Sequence, residues 1–232
     1  MPAMRKQLKE RLARRDFVIG INPSFPATGL VEVLARRFDL IFIDCENAGP
    51  DVETIPDLAR AAHAGGAVAL LRPWSKNPGL LRRYLTCGID GLILPDVEGG
   101  DEISAVRCIM QETHLADAET LILFALIETS RGVECAREIM QAPGVDAIQI
   151  GTSDLAVSLG LPRRGDHPQV KDIAFRVLAE AEALGKSAGT PVNKYGMAPV
   201  IDAGGNCIML FMQDVLHAGI DVALTGFPHQ PR

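Results

Sequence analysis

Short apolar runs recur along the whole chain, each followed by a stretch with the 3.6-residue spacing of an amphipathic helix. The runs are FVIGINP, DLIFIDCE, AVALLRPW, GLILPDV, LILFALIE, AIQIG, SAGTPV and NCIMLFM. This alternation is the pattern of parallel β/α units, in which each crossover helix covers the sheet. The runs show no exchange of polar and apolar positions, as strands buried on both faces should not. Eight units in 232 residues come to roughly 29 residues each, just under the ~250 residues usual for a (β/α)₈ barrel. A doubly wound open sheet also fits the alternation, but eight near-equal units favour a single barrel over residues 1–232. An N-terminal helix at about Ala3–Arg14 precedes it, and a short C-terminal helix and tail follow.

The stretch from Leu121 to Gly160 concentrates the chemistry. It reads strand, helix, strand, with Glu128 closing LILFALIE and Asp154 three residues beyond AIQIG. Consecutive parallel strands joined by one crossover lie side by side and point the same way, so the two carboxylates are expected at one rim. Hard oxygen ligands of this kind suit Mg²⁺ or Mn²⁺; each carboxylate could instead cap the next helix or pair with an arginine. In a barrel the active residues come from the C-terminal strand ends. Those ends carry Asn22, Asp44 with Glu46, Arg72, Asp96, Glu128, Asp154 with Gly151–Ser153, and Thr190. Arg72 is conspicuous at the end of an apolar strand, either as an anion clamp or as a snorkelling surface residue. Gly151, Thr152 and Ser153 are expected to present backbone N–H groups to a carboxylate.

Composition removes several classes of function. A net charge of −6 with no basic block argues against nucleic acid, which demands clustered Lys and Arg. The densest basic stretch, MRKQLKERLARRD, has mixed charge and helical spacing and reads as a solvated amphipathic helix. No apolar run approaches the ~20 residues of a membrane span, and the charged N-terminus lacks a signal-peptide core, so a cytoplasmic protein is expected. Cys45, Cys87, Cys108, Cys135 and Cys207 form an odd set without CxxC, fitting reduced and mostly buried thiols. Cys45 stands out only because it lies between Asp44 and Glu46.

The segments FDLIFIDCENA, LLRPW, IET and GVDAIQIGTSDLAVSLG resemble the HpcH/HpaI aldolases, metal-dependent pyruvate aldolases related to the citrate lyase β subunit. The resemblance spans roughly Phe17 to Phe211 and implies a barrel of the phosphoenolpyruvate/pyruvate type. It implies a divalent-metal carbon–carbon lyase that cleaves or forms a 4-hydroxy-2-oxo acid, giving pyruvate or a related 2-oxo acid plus an aldehyde. Glu128 and Asp154 would hold the metal, and Arg72 would clamp the keto oxygen and enolate. Asp44, with a metal-bound water that Asn47 would only orient, would relay the proton, while Gly151, Thr152, Ser153 and Thr190 would bind substrate. A homo-oligomer (dimer, trimer or hexamer) is implied, with the last helix on a neighbouring barrel.

The chain departs from that pattern at informative places. Asn47 stands where the family has the His that shuttles the proton, and Asn does not titrate near neutrality. Leu126 replaces a Gln, Thr152 a Pro, and Asp96 an apolar residue; Asp96 therefore becomes an additional catalytic candidate, or else a turn carboxylate facing solvent. None of His63, His114, His167, His217 and His229 supplies the missing group from sequence, His167 reading instead as a helix N-cap. A Schiff-base mechanism has only Lys194 to offer. Two other readings compete: a citrate-lyase-like enzyme acting on an acyl-CoA or dicarboxylate, and a non-catalytic barrel that binds metal and a 2-oxo acid.

Overall fold

The structure, a computed structural model, describes residues 2–47, 49–192 and 195–225. Its strands are β1 (Val18–Asn22), β2 (Leu40–Asp44), β3 (Val68–Arg72), β4 (Gly91–Leu94), β5 (Ile122–Ile127), β6 (Ala147–Ile150), β7 (Ser187–Gly189) and β8 (Cys207–Phe211). They form one parallel sheet in which β1 to β7 pair in sequence order and β1 also pairs with β8. The helices are α1 (Pro2–Ala13), α2 (Thr28–Ala35), α3 (Ile55–Gly65), α4 (Pro78–Leu85), α5 (Gly100–Thr113), α6 (Ser130–Glu134), α7 (Ala136–Gln141), α8 (Thr152–Ser158), α9 (Pro168–Ala183), α10 (Met197–Asp202) and α11 (Met212–Ala223).

The seam between β7 and β8 closes the ring into a (β/α)₈ barrel. The Asn206 N–H donates to the Ala188 carbonyl at 2.9 Å, and Pro191 bridges to Met209 in parallel register. A Cβ at Gly189 would lie 1.4 Å from the Cys207 carbonyl oxygen, so glycine is what lets the two strands approach. The open-sheet alternative is thereby removed.

Side chains alternate across each strand. Ile41, Ile43, Leu71, Leu92, Leu94, Leu123, Ile127 and Ile148 face the helices in one large cluster. Leu40, Phe42, Val68, Leu70, Ile93, Ile122, Phe124, Leu126 and Met209 fill the barrel interior in a second.

The N-terminal helix keeps a solvated face, with Lys6, Gln7 and Glu10 exposed, but its other face is built into the barrel. Leu8 and Leu12 of α1 are buried in the interior cluster, closing the barrel's N-terminal end. Its cations meet acidic residues that precede even-numbered strands: Arg11 pairs with Asp39, Arg5 with Asp90 at 3.6 Å, and Lys9 with Asp146 at 3.0 Å. Those aspartates also serve the sheet. Asp39, Asp90, Asp146 and, before β8, Asn206 accept from the N–H groups of Ile19, Ala69, Leu123 and Ala188 at 2.9, 2.8, 2.8 and 3.1 Å. Each satisfies an odd-strand donor at the barrel's lower edge, where an unpaired buried N–H would be costly.

TSDLAVS, directly after β6, forms the helix α8, and Met197–Asp202 forms the short α10. His167 caps α9 as expected, its Nδ1 accepting from the Gln169 N–H at 3.3 Å. Ala48, His229 and the Schiff-base candidate Lys194 lie outside the described residues. Among the described residues no helix is long and apolar enough to cross a membrane.

Candidate active site

The inward-facing positions change character as the strands climb. Leu40 and Phe42 are followed by Asp44, Val68 and Leu70 by Arg72, Phe124 and Leu126 by Glu128, and Ala147 by Gln149. Period-two geometry thus places Asp44, Arg72, Glu128 and Gln149 at the barrel's C-terminal mouth, all of them buried. A cavity of about 410 Å³ opens there, and its walls include these four residues together with Asn47, Gly151, Thr152, Ser153, Asp154 and Arg163.

Arg72, only 6% exposed, is held on several sides. Its Nε and Nη2 donate to the two oxygens of Asp44 at 2.9 and 2.6 Å, and Nε also lies 3.0 Å from a Glu46 carboxylate oxygen. Its guanidinium carbon stands 5.4 Å from the centroid of the Phe42 ring. Burial works against the charge, but the hydrogen bond and charge of Asp44, then Glu46 and Glu128, outweigh it and raise the pKa. The snorkelling alternative is excluded, since the head group points into the barrel rather than to bulk water.

Asp44 is saturated. Besides Arg72, it accepts from Asn22 Nδ2 at 3.3 Å and from the N–H groups of Glu46 and Asn47 at 3.1 and 3.3 Å. A carboxylate offers about four lone-pair positions, so these donors leave Asp44 no free site for a proton in transit.

Glu128 is 2% exposed and poorly compensated. One oxygen accepts from the Asp96 N–H at 3.1 Å. Burial pushes its carboxyl up to about 8, against the pull of that N–H and of Arg72 and with the help of the Asp96 and Asp154 charges. A Cβ at Gly151 would stand 2.4 Å from the second oxygen, so glycine there makes room for the carboxylate. Asp154 completes the wall, its Oδ1 2.6 Å from Arg163 Nη2.

The remaining expected residues play different parts. Asp96, at φ 47°, is exposed and not a cavity wall; what it gives the site is the N–H to Glu128. The fully buried Thr190 donates its hydroxyl to the Ile150 carbonyl at 3.0 Å and is likewise not a wall. The Gly151 N–H is spent on the Ile127 carbonyl at 3.0 Å. That leaves Thr152 and Ser153, whose N–H groups at the start of α8 have no acceptor within the helix. Cys45 faces away from the cavity in the outer cluster, and burial pushes its thiol up to about 12, so it is no nucleophile.

Three residues were missed or undervalued. Gln149 donates to the Cys207 carbonyl at 2.9 Å; its signal was a lone polar residue at the inward parity of AIQIG. Glu46 touches Arg72, and burial raises its pKa, opposed by Arg72 and reinforced by Asp44, Asp96 and Asp154. Arg163, in the loop after α8, lines the cavity.

Among the described residues, no three His, Cys, Asp or Glu side chains form a ready-made metal cage. Glu128 and Asp154 nevertheless share one wall, and both are hard oxygen donors. A buried carboxyl pushed up to about 8 marks a place short of positive charge. The donor set therefore fits a divalent cation whose remaining positions are filled by water and substrate oxygens.

Residues 22–192 match the family model described as HpcH/HpaI aldolase/citrate lyase. The pyruvate aldolase of Rhizobium etli is 27% identical, over 93% of this chain and 91% of that protein. The 2-keto-3-deoxy-L-rhamnonate aldolase of Salmonella typhi is 27% identical over 78% of this chain and 77% of its own length. Among solved structures, a HpcH/HpaI aldolase/citrate lyase family protein from Burkholderia cenocepacia superposes with a TM-score of 0.83 at 24% identity. It covers 94% of this chain and 98% of its own.

Proposed function

From the premise that this chain belongs to the HpcH/HpaI aldolase/citrate lyase family, we propose that it is a divalent-cation-dependent aldolase. In this reading it cleaves or forms a 4-hydroxy-2-oxo acid, with pyruvate or a related 2-oxo acid and an aldehyde as the other side of the reaction. The observation that carries the reading is the buried Arg72, locked by Asp44 in a cavity whose wall also holds Glu128 and Asp154. The aldolase names of the relatives support this over the citrate-lyase-like and non-catalytic readings.

Glu128 and Asp154 would hold the cation, Mg²⁺ or Mn²⁺ by the hardness of their oxygens. Bound there, it supplies Lewis-acid stabilisation of negative charge on the keto oxygen. Arg72 uses Nε–H and one N–H of Nη2 on Asp44, which leaves the rest of its donor fork for that same oxygen. Asp44 acts by orienting Arg72, so the proton relay expected of it is reassigned. Glu46 takes that part, since its carboxylate, though exposed and not a cavity wall, lies 3.0 Å from Arg72 Nε and burial raises its pKa. The N–H groups of Thr152 and Ser153 receive the substrate carboxylate. Phe42, Ile93, Leu126 and Met209 line the cavity with apolar surface, which excludes water and strengthens each polar contact.

Exchange of the pyruvate methyl protons for deuterium, followed by NMR, tests the reading without a choice of aldehyde. The protein is stripped of metal and then given Mg²⁺ or Mn²⁺. Cation-dependent exchange that is lost in Glu128→Ala and Arg72→Ala is expected; a cation-bound protein that exchanges nothing would overturn it.

The chain also acts as a homo-oligomer in this reading. No residue of α11 is buried, and Val215, Leu216, Ile220 and Val222 leave 37 to 75% of their surface open along it. A face of that kind is expected against another copy, and a monomeric mass by light scattering at micromolar concentration would refute this.

A further inference from the structure

Two guanidinium groups line the cavity, and they are held very differently. Arg72 is clamped by Asp44 and Glu46 at the end of β3. Arg163 comes from the loop after α8 and leaves 59% of its side chain exposed; among the described residues its ion pair, at 2.6 Å, is with Asp154. Asp154 is one of the two carboxylates assigned above to the cation. A carboxylate oxygen spent on a guanidinium at 2.6 Å is withheld from an incoming ion, so the two positive charges compete for it.

We propose that Arg163 is a specificity-determining residue that exchanges Asp154 for the substrate. Without a cation it neutralises Asp154. When a divalent cation takes Asp154, the guanidinium is released at the cavity wall and docks a second anionic group, a carboxylate at the far end of a 2-oxo acid or of its aldol product. The substrate class is therefore dianionic. This rests on the aldolase reading, since it requires the cation at Glu128 and Asp154.

Charge supports the exchange. The described walls carry the carboxylates Asp44, Glu128 and Asp154 against Arg72 and Arg163. Asp44 is neutralised by Arg72, so a cation on Glu128 and Asp154 leaves Arg163 as the cavity's unpaired charge. Its planar fork suits a carboxylate in two-point contact. The adjacent Arg164 is a natural control, because it is paired with Asp166 at 3.0 Å and is not a cavity wall.

The test measures binding rather than turnover. Mn²⁺ affinity is read by electron paramagnetic resonance for wild type, Arg163→Gln, Arg163→Lys and Arg164→Gln. Arg163→Gln is expected to tighten Mn²⁺ by up to about fivefold, the scale of a half-exposed ion pair, while Arg164→Gln matches wild type. The Mn²⁺-loaded proteins are then titrated with 2-oxoglutarate and 2-oxopentanoate, which share a five-carbon skeleton and differ in the terminal carboxylate. Wild type is expected to prefer 2-oxoglutarate about fivefold, Arg163→Gln to lose the preference and Arg163→Lys to keep part of it. Mn²⁺ binding and ligand preference both unchanged in Arg163→Gln would overturn the proposal alone. Failure of both wild type and Arg163→Gln to bind Mn²⁺ would overturn the cation reading and this proposal with it.

Discussion

Replacing Glu128 by Gln should stabilise the cation-free protein in alkaline solution while removing its capacity for the cation. In the fold, burial pushes this carboxyl from 4.5 up to about 8. Between those values the folded protein holds a proton that the unfolded chain has released. The folded state therefore binds more protons, and stability falls as pH rises through that interval. At about 1.4 kcal/mol per pH unit of separation, the loss between pH 5 and pH 9 amounts to about 3–4 kcal/mol. Gln has nearly the same shape, can still accept from the Asp96 N–H, and carries no charge to desolvate. The variant should match wild type near pH 5 and exceed it by about 3–4 kcal/mol at pH 9.

The assay is urea denaturation in EDTA across that range, followed by far-UV circular dichroism. The only tryptophan, Trp74, is 66% exposed and would report unfolding poorly by fluorescence. Adding Mg²⁺ or Mn²⁺ at 100 times its dissociation constant should then stabilise wild type by about 2.7 kcal/mol and the variant by little. Parallel pH–stability curves for the two proteins in EDTA would refute the reasoning, because they would mean that Glu128 ionises in the fold as easily as in water.

Gly151→Ala should keep the fold and lose the cation, since the added methyl sits 2.4 Å from the Glu128 oxygen at a backbone position (φ −86°) that alanine tolerates; circular dichroism with Mn²⁺ titration checks both halves, and unaltered Mn²⁺ affinity would contradict it. Glu46→Gln should slow pyruvate deuterium exchange by about 10²-fold or more, the usual scale for a general base, whereas Asp96→Asn, which keeps the backbone N–H, should cost far less. The reverse order would move the proton to Asp96. Asn47→His should leave the exchange rate within about twofold of wild type, far from the 10²-fold or greater gain of an added general base.

How much of this was legible in sequence follows from what each feature depends on. Apolar runs alternating with helical spacing specify parallel β/α units, because burying both sheet faces leaves that pattern no other use. The strand-end polar residues Asp44, Arg72 and Glu128 were visible for the same reason: a polar residue at inward parity after Leu or Phe stands out. Gln149 carried the same signal inside AIQIG and was passed over. The aspartates before β2, β4 and β6 were legible too, as FD, ID and VD preceding each apolar run, with GN before β8. Together they show why one face of the basic helix α1 docks on the barrel, Arg5, Lys9 and Arg11 having acidic partners spaced around its rim. Arg163 was not legible, and for the exposed α11 only the family resemblance, not the residues themselves, pointed to a neighbouring barrel. Which carboxylate a loop arginine reaches, and whether a helix lies on its own barrel, depend on tertiary geometry that local patterning does not encode.

The role of position 47 turns on Asp44 rather than on Asn47. A histidine there acts as a base only when a carboxylate fixes its tautomer and supports the imidazolium. In this chain Asp44 already accepts from Arg72 twice, from Asn22 and from two backbone N–H groups, which exhausts its lone pairs. With those positions filled, a histidine at 47 would find no lone pair of Asp44 open. The non-titrating Asn47 and the saturated Asp44 thus go together, with the carboxylate committed to holding Arg72. The proton falls to Glu46, whose carboxylate meets that network only at Arg72 Nε, 3.0 Å away, and whose pKa burial raises.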